Sequence, residues 1–249
     1  MHAIIRTLSR RPIRRHFSSL ASSQTVPPRR CHDGGGARRL YADQPGKLTY
    51  PDAPTRQHSD LASFVAYARR TGLDESSTVY VGTHYEYKVS LSLSRYGFFL
   101  KRIGGSCDNG TDLIGTWTLP ASSSPTPTPV LRILVQCKAG ARRVGPQHVR
   151  ELEGSFVGAP VGWRGTGVLG VLVSEGAATK GVRDALGRSA WPMVYMRCSK
   201  DGVVSQMLWN QQAEHHGLEG YGVSVRYGGS PAELVLVRDG KTVPLVPQE

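Results

Sequence analysis

From residue 60 onward, apolar positions along the chain switch between a helical period and a strand period. Leu61, Phe64, Val65 and Ala68 are spaced for one helix face, and Asp60 can cap a helix over Asp60–Thr71. Val81, Tyr85, Val89, Leu93 and Tyr96 fall near i, i+4 steps and predict a second helix, Val81–Tyr96, ended by Gly97. Short strands are expected at Phe98–Ile103, Asp112–Leu119 and Leu131–Ala139. Gln147–Gly158 reads as a helix with Val149, Leu152, Phe156 and Val157 inward. Gly167–Ser174 is a continuous apolar run, the pattern of a strand covered on both faces. Thr179 can cap a helix running through Ser189, and Met193–Cys198 is a further strand. Near the end, Val223–Tyr227, Ala232–Arg238 and Thr242–Val246 alternate as strands, with Asp239-Gly240 as a hairpin turn.

Three strands in a meander, followed by strands that return through helices, predict an α/β fold with a mixed sheet flanked by helices. Two breaks interrupt the pattern. The loop Gly104–Gly110 carries glycines at 104, 105 and 110, and Pro120–Pro129 is a low-complexity insertion within a hairpin. The expected organisation is a basic segment over 1–40, a linker over 41–58, a main domain over 59–215 and a C-terminal β-hairpin extension over 216–249.

Charge changes this picture at one end. Of the net +12 on 249 residues, residues 1–40 carry +8, from nine arginines, no lysine and the single acid Asp33, which leaves +4 for the rest. An Arg- and Ser-rich, acid-poor start is the pattern of a mitochondrial transit peptide, and Arg15-His16-Phe17-Ser18-Ser19 resembles a matrix-protease site. The competing reading is a basic nucleic-acid-binding arm, which would more often mix Lys with Arg. The expected location is therefore the mitochondrion, in the matrix, and net charge is no argument for DNA binding. No apolar run of about 18 residues exists to span a membrane. Cys31, Cys107, Cys137 and Cys198 are scattered without zinc spacing, and Cys137 and Cys198 read as core packing.

The candidate chemistry lies on two of the strands. Asp112 opens one, in Gly110-Thr111-Asp112-Leu113-Ile114, and the next ends in Val135-Gln136-Cys137-Lys138. Strand alternation puts Gln136 and Lys138 on one face and Cys137 on the other. An acid and an amide oxygen can hold Mg²⁺ (or Mn²⁺) while an ammonium holds a water or phosphate oxygen, the set that a metal-dependent phosphodiesterase needs.

The order of a helix acid in His84-Tyr85-Glu86, the Gly-rich loop before Asp112-Leu113-Ile114, and Gln136-Cys137-Lys138 resembles the PD-(D/E)XK restriction-endonuclease-like superfamily, most closely its Mrr-type branch. The helix Val149-Arg150-Glu151-Leu152-Glu153-Gly154 and the strand Gly170-Val171-Leu172-Val173-Ser174 extend the resemblance over about residues 80–200. It implies a restriction-endonuclease-like αβββαβ core. Glu86, Asp112 and Gln136 would then be metal ligands and Lys138 the catalytic lysine. Gln136 stands where most members carry Glu or Asp. The implied cofactor is Mg²⁺ (or Mn²⁺), the implied partner is nucleic acid, in particular DNA, and dimeric relatives extend the implication to a homodimer. With the N-terminal segment and Met207-Leu208-Trp209-Asn210, the chain also resembles the fungal mitochondrial "required for respiratory growth", member seven, family. That resemblance implies a link to respiratory growth and mitochondrial genome upkeep.

Each residue also has a plain structural reading. Asp112 can be a strand-start turn former, Lys138 a solvated strand end and Glu86 a solvated helix acid. Asp108 is a secondary candidate in a loop where Asp commonly shapes turns. Gln147, His148 and Arg150 can meet phosphate or simply form a solvated face, and His215-His216 beside Glu214 reads as a surface segment because adjacent helical residues point apart. Three functional readings stay open: a metal-dependent mitochondrial endonuclease, a catalytically inactive nuclease-fold protein that binds nucleic acid or protein, and an assembly factor for respiratory complexes.

Overall fold

The computed structural model describes residues 48–105, 110–119, 130–140, 143–227 and 232–247. The expected transit segment, residues 41–47 of the linker, Cys31, Cys107, Asp108 and the tract Pro120–Pro129 lie outside the described residues.

Local capping sets the first two helices. In α1 (Leu61–Thr71), Ser63 N donates to Asp60 Oδ1 at 2.8 Å, Asp60 N donates back to Ser63 Oγ at 3.1 Å, and Gly72 at φ 65° ends the helix. Helix α2 (Thr78–Ser94) starts earlier than the periodicity of Val81 suggested, because Ser77 Oγ accepts from Tyr80 N. It also ends earlier. Arg95 and Tyr96 form a turn that closes on Gly97, with Gly97 N donating to Ser94 O.

The main sheet holds six strands, and their order in space is their order in the chain. β1 (Phe98–Arg102), β2 (Leu113–Thr118) and β3 (Val130–Lys138) form an antiparallel meander. Helix α3 (Pro146–Gly158) crosses to β4 (Val168–Ser174), and α4 (Lys180–Arg188), capped by Thr179, crosses to β5 (Met193–Cys198). The β3, β4 and β5 pairings are parallel. Every residue of β4 is buried, as its unbroken apolar run requires.

The sixth strand, β6 (Val204–Trp209), pairs antiparallel with β5 and was not legible as a strand. Ser205 and Gln206 interrupt its apolar pattern, and its register shifts at Arg197/Cys198. The following Asn210 explains why the segment Met207–Asn210 is distinctive. Its side-chain oxygen accepts from Met193 N and Ala213 N, and its Nδ2 donates to Leu186 O and Trp191 O. One buried amide thereby ties β5, α4 and the turn after β6 together.

One face of the sheet carries α2 and the main core. Tyr85, Val89 and Leu93 pack there with Leu113, Trp117, Ile133 and Val135. Trp117 is fully buried, stacks on Phe98 at 4.3 Å and donates its Nε1 to Tyr96 O. Burial of such a side chain stabilises the fold by about 1.5–3 kcal/mol. The other face carries α3, where Phe156 presses on Gly170 so closely that a Cβ there would sit 2.8 Å from Phe156 Cζ. Val157, expected inward, is 70% exposed, because Val149, Leu152 and Phe156 already complete the buried face of α3.

The C-terminal extension is a second sheet rather than a simple hairpin. β7 (Tyr221–Arg226), β8 (Glu233–Arg238) and β9 (Lys241–Thr242) are antiparallel, with the Asp239-Gly240 turn at positive φ in both residues. The expected strand Thr242–Val246 shrinks to Lys241–Thr242, since Val246 N donates to Arg95 O beyond α2 instead of continuing the ladder. Tyr221, Val223, Leu234 and Leu236 join the main core. Among the described residues, no helix is long and apolar enough to cross a membrane.

Candidate functional site

Asp112, Gln136 and Lys138 meet at the end of the sheet where β2 starts and β3 finishes. The β2–β3 register pairs Leu113 with Val135, and its continuation sets Asp112 across from Gln136. Backbone and side-chain bonds hold Asp112. Its N donates to Val135 O, and its O accepts from Ile103 N and Gly104 N, all at 2.9 Å. Its Oδ2 accepts from Cys137 N at 2.6 Å, a short charge-assisted bond.

Strand alternation holds as expected. Cys137 packs against the core on the α2 face, while Gln136 and Lys138 face α3. Burial, then the carboxylates of Asp112 and Glu86, push the Cys137 thiol well above its ordinary range. Gln136 is 4% exposed, and its Oε1 has no hydrogen-bond partner among the described residues. An orphaned buried acceptor costs about 1–3 kcal/mol. Its Nε2 sits against Gly110, where a Cβ would come within 3.3 Å of it and 3.4 Å of Ser155 Oγ.

Glu86 reaches the same end of the sheet from α2. A Cβ on Gly104 would lie 3.2 Å from Glu86 Oε2 and 3.3 Å from Asp112 Cα, so the glycine permits the two acids to approach. Glu86 is engaged, however. Arg102 Nε lies 2.5 Å from Glu86 Oε2, and the two side chains are only 14% and 12% exposed. Arg102 ends β1 on the α2 face, and its guanidinium offsets the charge that Glu86 would bring to a cation.

Lys138 is also paired. Its Nζ lies 3.0 Å from Glu151 Oε2 on α3. One turn further along α3, the fully buried Ser155 donates to Gly110 O at 3.4 Å. Helix α3 runs back along β3, so residues one helical turn apart address strand residues two apart. Arg102, Glu151 and Ser155 were assigned no role in the sequence. The readable signal was that Glu151 and Ser155 are i, i+4 neighbours flanking inward Leu152.

The other sequence candidates separate from this site. His148 Nδ1 accepts from Gly145 N at the start of α3, a capping role, while Gln147 and Arg150 are exposed. His215 is exposed and His216 half-buried in the turn Glu214–Leu218, where Gly217 breaks the helix. Among the described residues, no group of three or more His, Cys, Asp or Glu side chains could hold a metal ion. A metal here would depend on Asp112 with the amide of Gln136. Those two fit it: one is a fixed carboxylate, and the other offers a buried oxygen with no hydrogen-bond partner among the described residues. A groove of about 1080 Å³ lies elsewhere, between α1, α2 and the edge strand β1, reaching Arg102 but none of Asp112, Gln136 or Lys138. Its walls are mostly apolar, so volume alone does not make it the site.

The sequence profile of the family described as Required for respiratory growth protein 7 matches residues 77–130 and 122–227, which covers α2 through β7 and all of the sheet-end residues above. The chain belongs to this family. Among relatives, it is 34% identical over 160 residues to a Schizosaccharomyces pombe protein named as mitochondrial, covering 63% of this chain and 61% of that one. The chain thus matches less than two thirds of that relative's length. It is 24% identical over 213 residues to "Required for respiratory growth protein 7, mitochondrial" of Saccharomyces cerevisiae, covering 71% of this chain and 85% of that one. The protein of the same name from Zygosaccharomyces rouxii is 28% identical over 178 residues, covering 57% and 73%. No solved structure matches the chain.

Proposed function

We propose that this member of the Required for respiratory growth protein 7 family is a mitochondrial, metal-dependent nuclease that hydrolyses phosphodiester bonds in DNA and so supports respiratory growth. The observation that carries the reading is the buried Oε1 of Gln136, across from Asp112 and without a hydrogen-bond partner among the described residues. A protein interior leaves such an atom orphaned at a functional site more readily than in a packed core. The order α2, β1, β2, β3, α3, β4 supports a restriction-endonuclease-like core. The mitochondrial setting rests on the names of the relatives and on the Arg-rich residues 1–40.

Asp112 and Gln136 would hold Mg²⁺ (or Mn²⁺), which supplies charge neutralisation at the phosphorus and a more acidic bound water. The chain's own residues set the rest. The Cys137 N–H fixes the Asp112 carboxylate in one orientation. Lys138 is an ammonium that can face a phosphate oxygen and stabilise charge in the transition state. Arg102 keeps Glu86 at the sheet end without adding a net negative charge to it.

The test is plasmid nicking by the full chain with Mg²⁺ or Mn²⁺. Wild type should nick, Lys138→Ala should lose the activity, and activity retained in Lys138→Ala would refute the assignment. A second reading has its own support. Both Glu86 and Lys138 are occupied by Arg102 and Glu151, which suits a nuclease fold kept for binding. It predicts salt-sensitive nucleic-acid binding with no metal-dependent cleavage.

A further inference from the structure

The pairing of Lys138 with Glu151 crosses from the sheet to α3 and engages the lysine of the proposed chemistry. Glu151 is 47% exposed and Lys138 30%. Such a pair is weak in water, so a phosphate group can compete for the lysine. Helix α3 itself is not free to withdraw. Ser155, one turn on and fully buried, bonds the Gly110 carbonyl, while Leu152 and Phe156 are locked in the core. The side chain of Glu151 can rotate into solvent without moving the helix.

We infer that Glu151 is a competing counter-ion for Lys138: in the free protein its carboxylate holds the ammonium against α3, and a nucleic-acid phosphate displaces it on binding. Glu151 is thus a positioning residue that lowers ground-state affinity for the polyanion. This role rests on the reading of Lys138 as the phosphate-facing residue.

The experiment is a double-mutant cycle on the full 249-residue chain. Binding to a labelled DNA oligonucleotide is measured by anisotropy in EDTA, so that no cleavage runs, for wild type, Glu151→Gln, Lys138→Met and the double variant. Glu151→Gln should tighten binding about two- to fivefold, the scale of a half-exposed ion pair. Glu151→Asp should bind like wild type. In the Lys138→Met background, Glu151→Gln should change nothing further. Equal tightening in both backgrounds would show a general charge effect and overturn the inference, as would unchanged or weaker binding in Glu151→Gln alone. If Lys138→Met leaves affinity untouched, or no variant binds, Lys138 does not face phosphate and the inference falls with that assignment. If the coupling appears while nicking with Mg²⁺ is absent, the counter-ion role stands and the nuclease reading fails.

Discussion

The backbone N–H of Cys137 donates to Asp112 Oδ2 at 2.6 Å, so the acid just before β2 is anchored to the middle of the Gln136-Cys137-Lys138 triplet that ends β3. This bond turns two separate strings of sequence into one rigid corner. It also leaves the Cys137 side chain to the core, on the face opposite Gln136 and Lys138.

Arg102 and Glu86 form the other anchor of that corner, and both are largely buried. Removal of one partner leaves a buried charge without compensation. Arg102→Met should therefore destabilise the protein by about 3 kcal/mol, and the double replacement Arg102→Met with Glu86→Leu should recover much of that loss. Urea denaturation of the three proteins measures it. A double variant no more stable than Arg102→Met would mean that the pair contributes through packing and not through charge.

Gln136 offers a trade between stability and function. Its Oε1 is buried without a partner among the described residues, so Gln136→Leu removes an unsatisfied acceptor and should raise stability by about 1 kcal/mol. The same change should abolish metal-dependent cleavage. A shift of the urea midpoint toward instability would show that the amide already has a partner in solution.

Much of this was readable from residues alone, for identifiable reasons. Helices with explicit caps, such as Asp60 for α1 and Thr179 for α4, and the apolar β4 run were visible because one local rule dominates each. The placement of Asp112 beside the Gln136-Cys137-Lys138 end of β3 followed from the antiparallel order of the strands. What escaped depends on tertiary contacts. β6 is held by its pairing with β5 and by the Asn210 amide, neither of which leaves a period in the sequence. The partners of Glu86 and Lys138 lie 16 and 13 positions away on other elements, where spacing carries no signal.

Alkaline pH should expose the core thiols. Burial raises the Cys198 thiol from its ordinary value of 9.0 to about 11. Below pH 9 both the folded and unfolded states keep this proton, and its contribution to stability is fully present. As pH rises from about 9 through about 11, the unfolded chain ionises first and stability falls. Denaturant midpoints at pH 8, 9, 10 and 11 should show this decline, and Cys198→Ala should flatten it. An unchanged slope in that variant would assign the loss to other groups, such as Tyr96, which burial raises to about 12.

Asp112 and Gln136 are proposed to hold a divalent cation together. Anomalous diffraction from crystals grown with Mn²⁺ locates the cation. One strong peak is expected at the sheet end, about 2.1 Å from an Asp112 carboxylate oxygen and from Gln136 Oε1, and it should be lost in Asp112→Asn. A peak elsewhere, or Mn²⁺-soaked crystals with Gln136 Oε1 still unliganded, would contradict it.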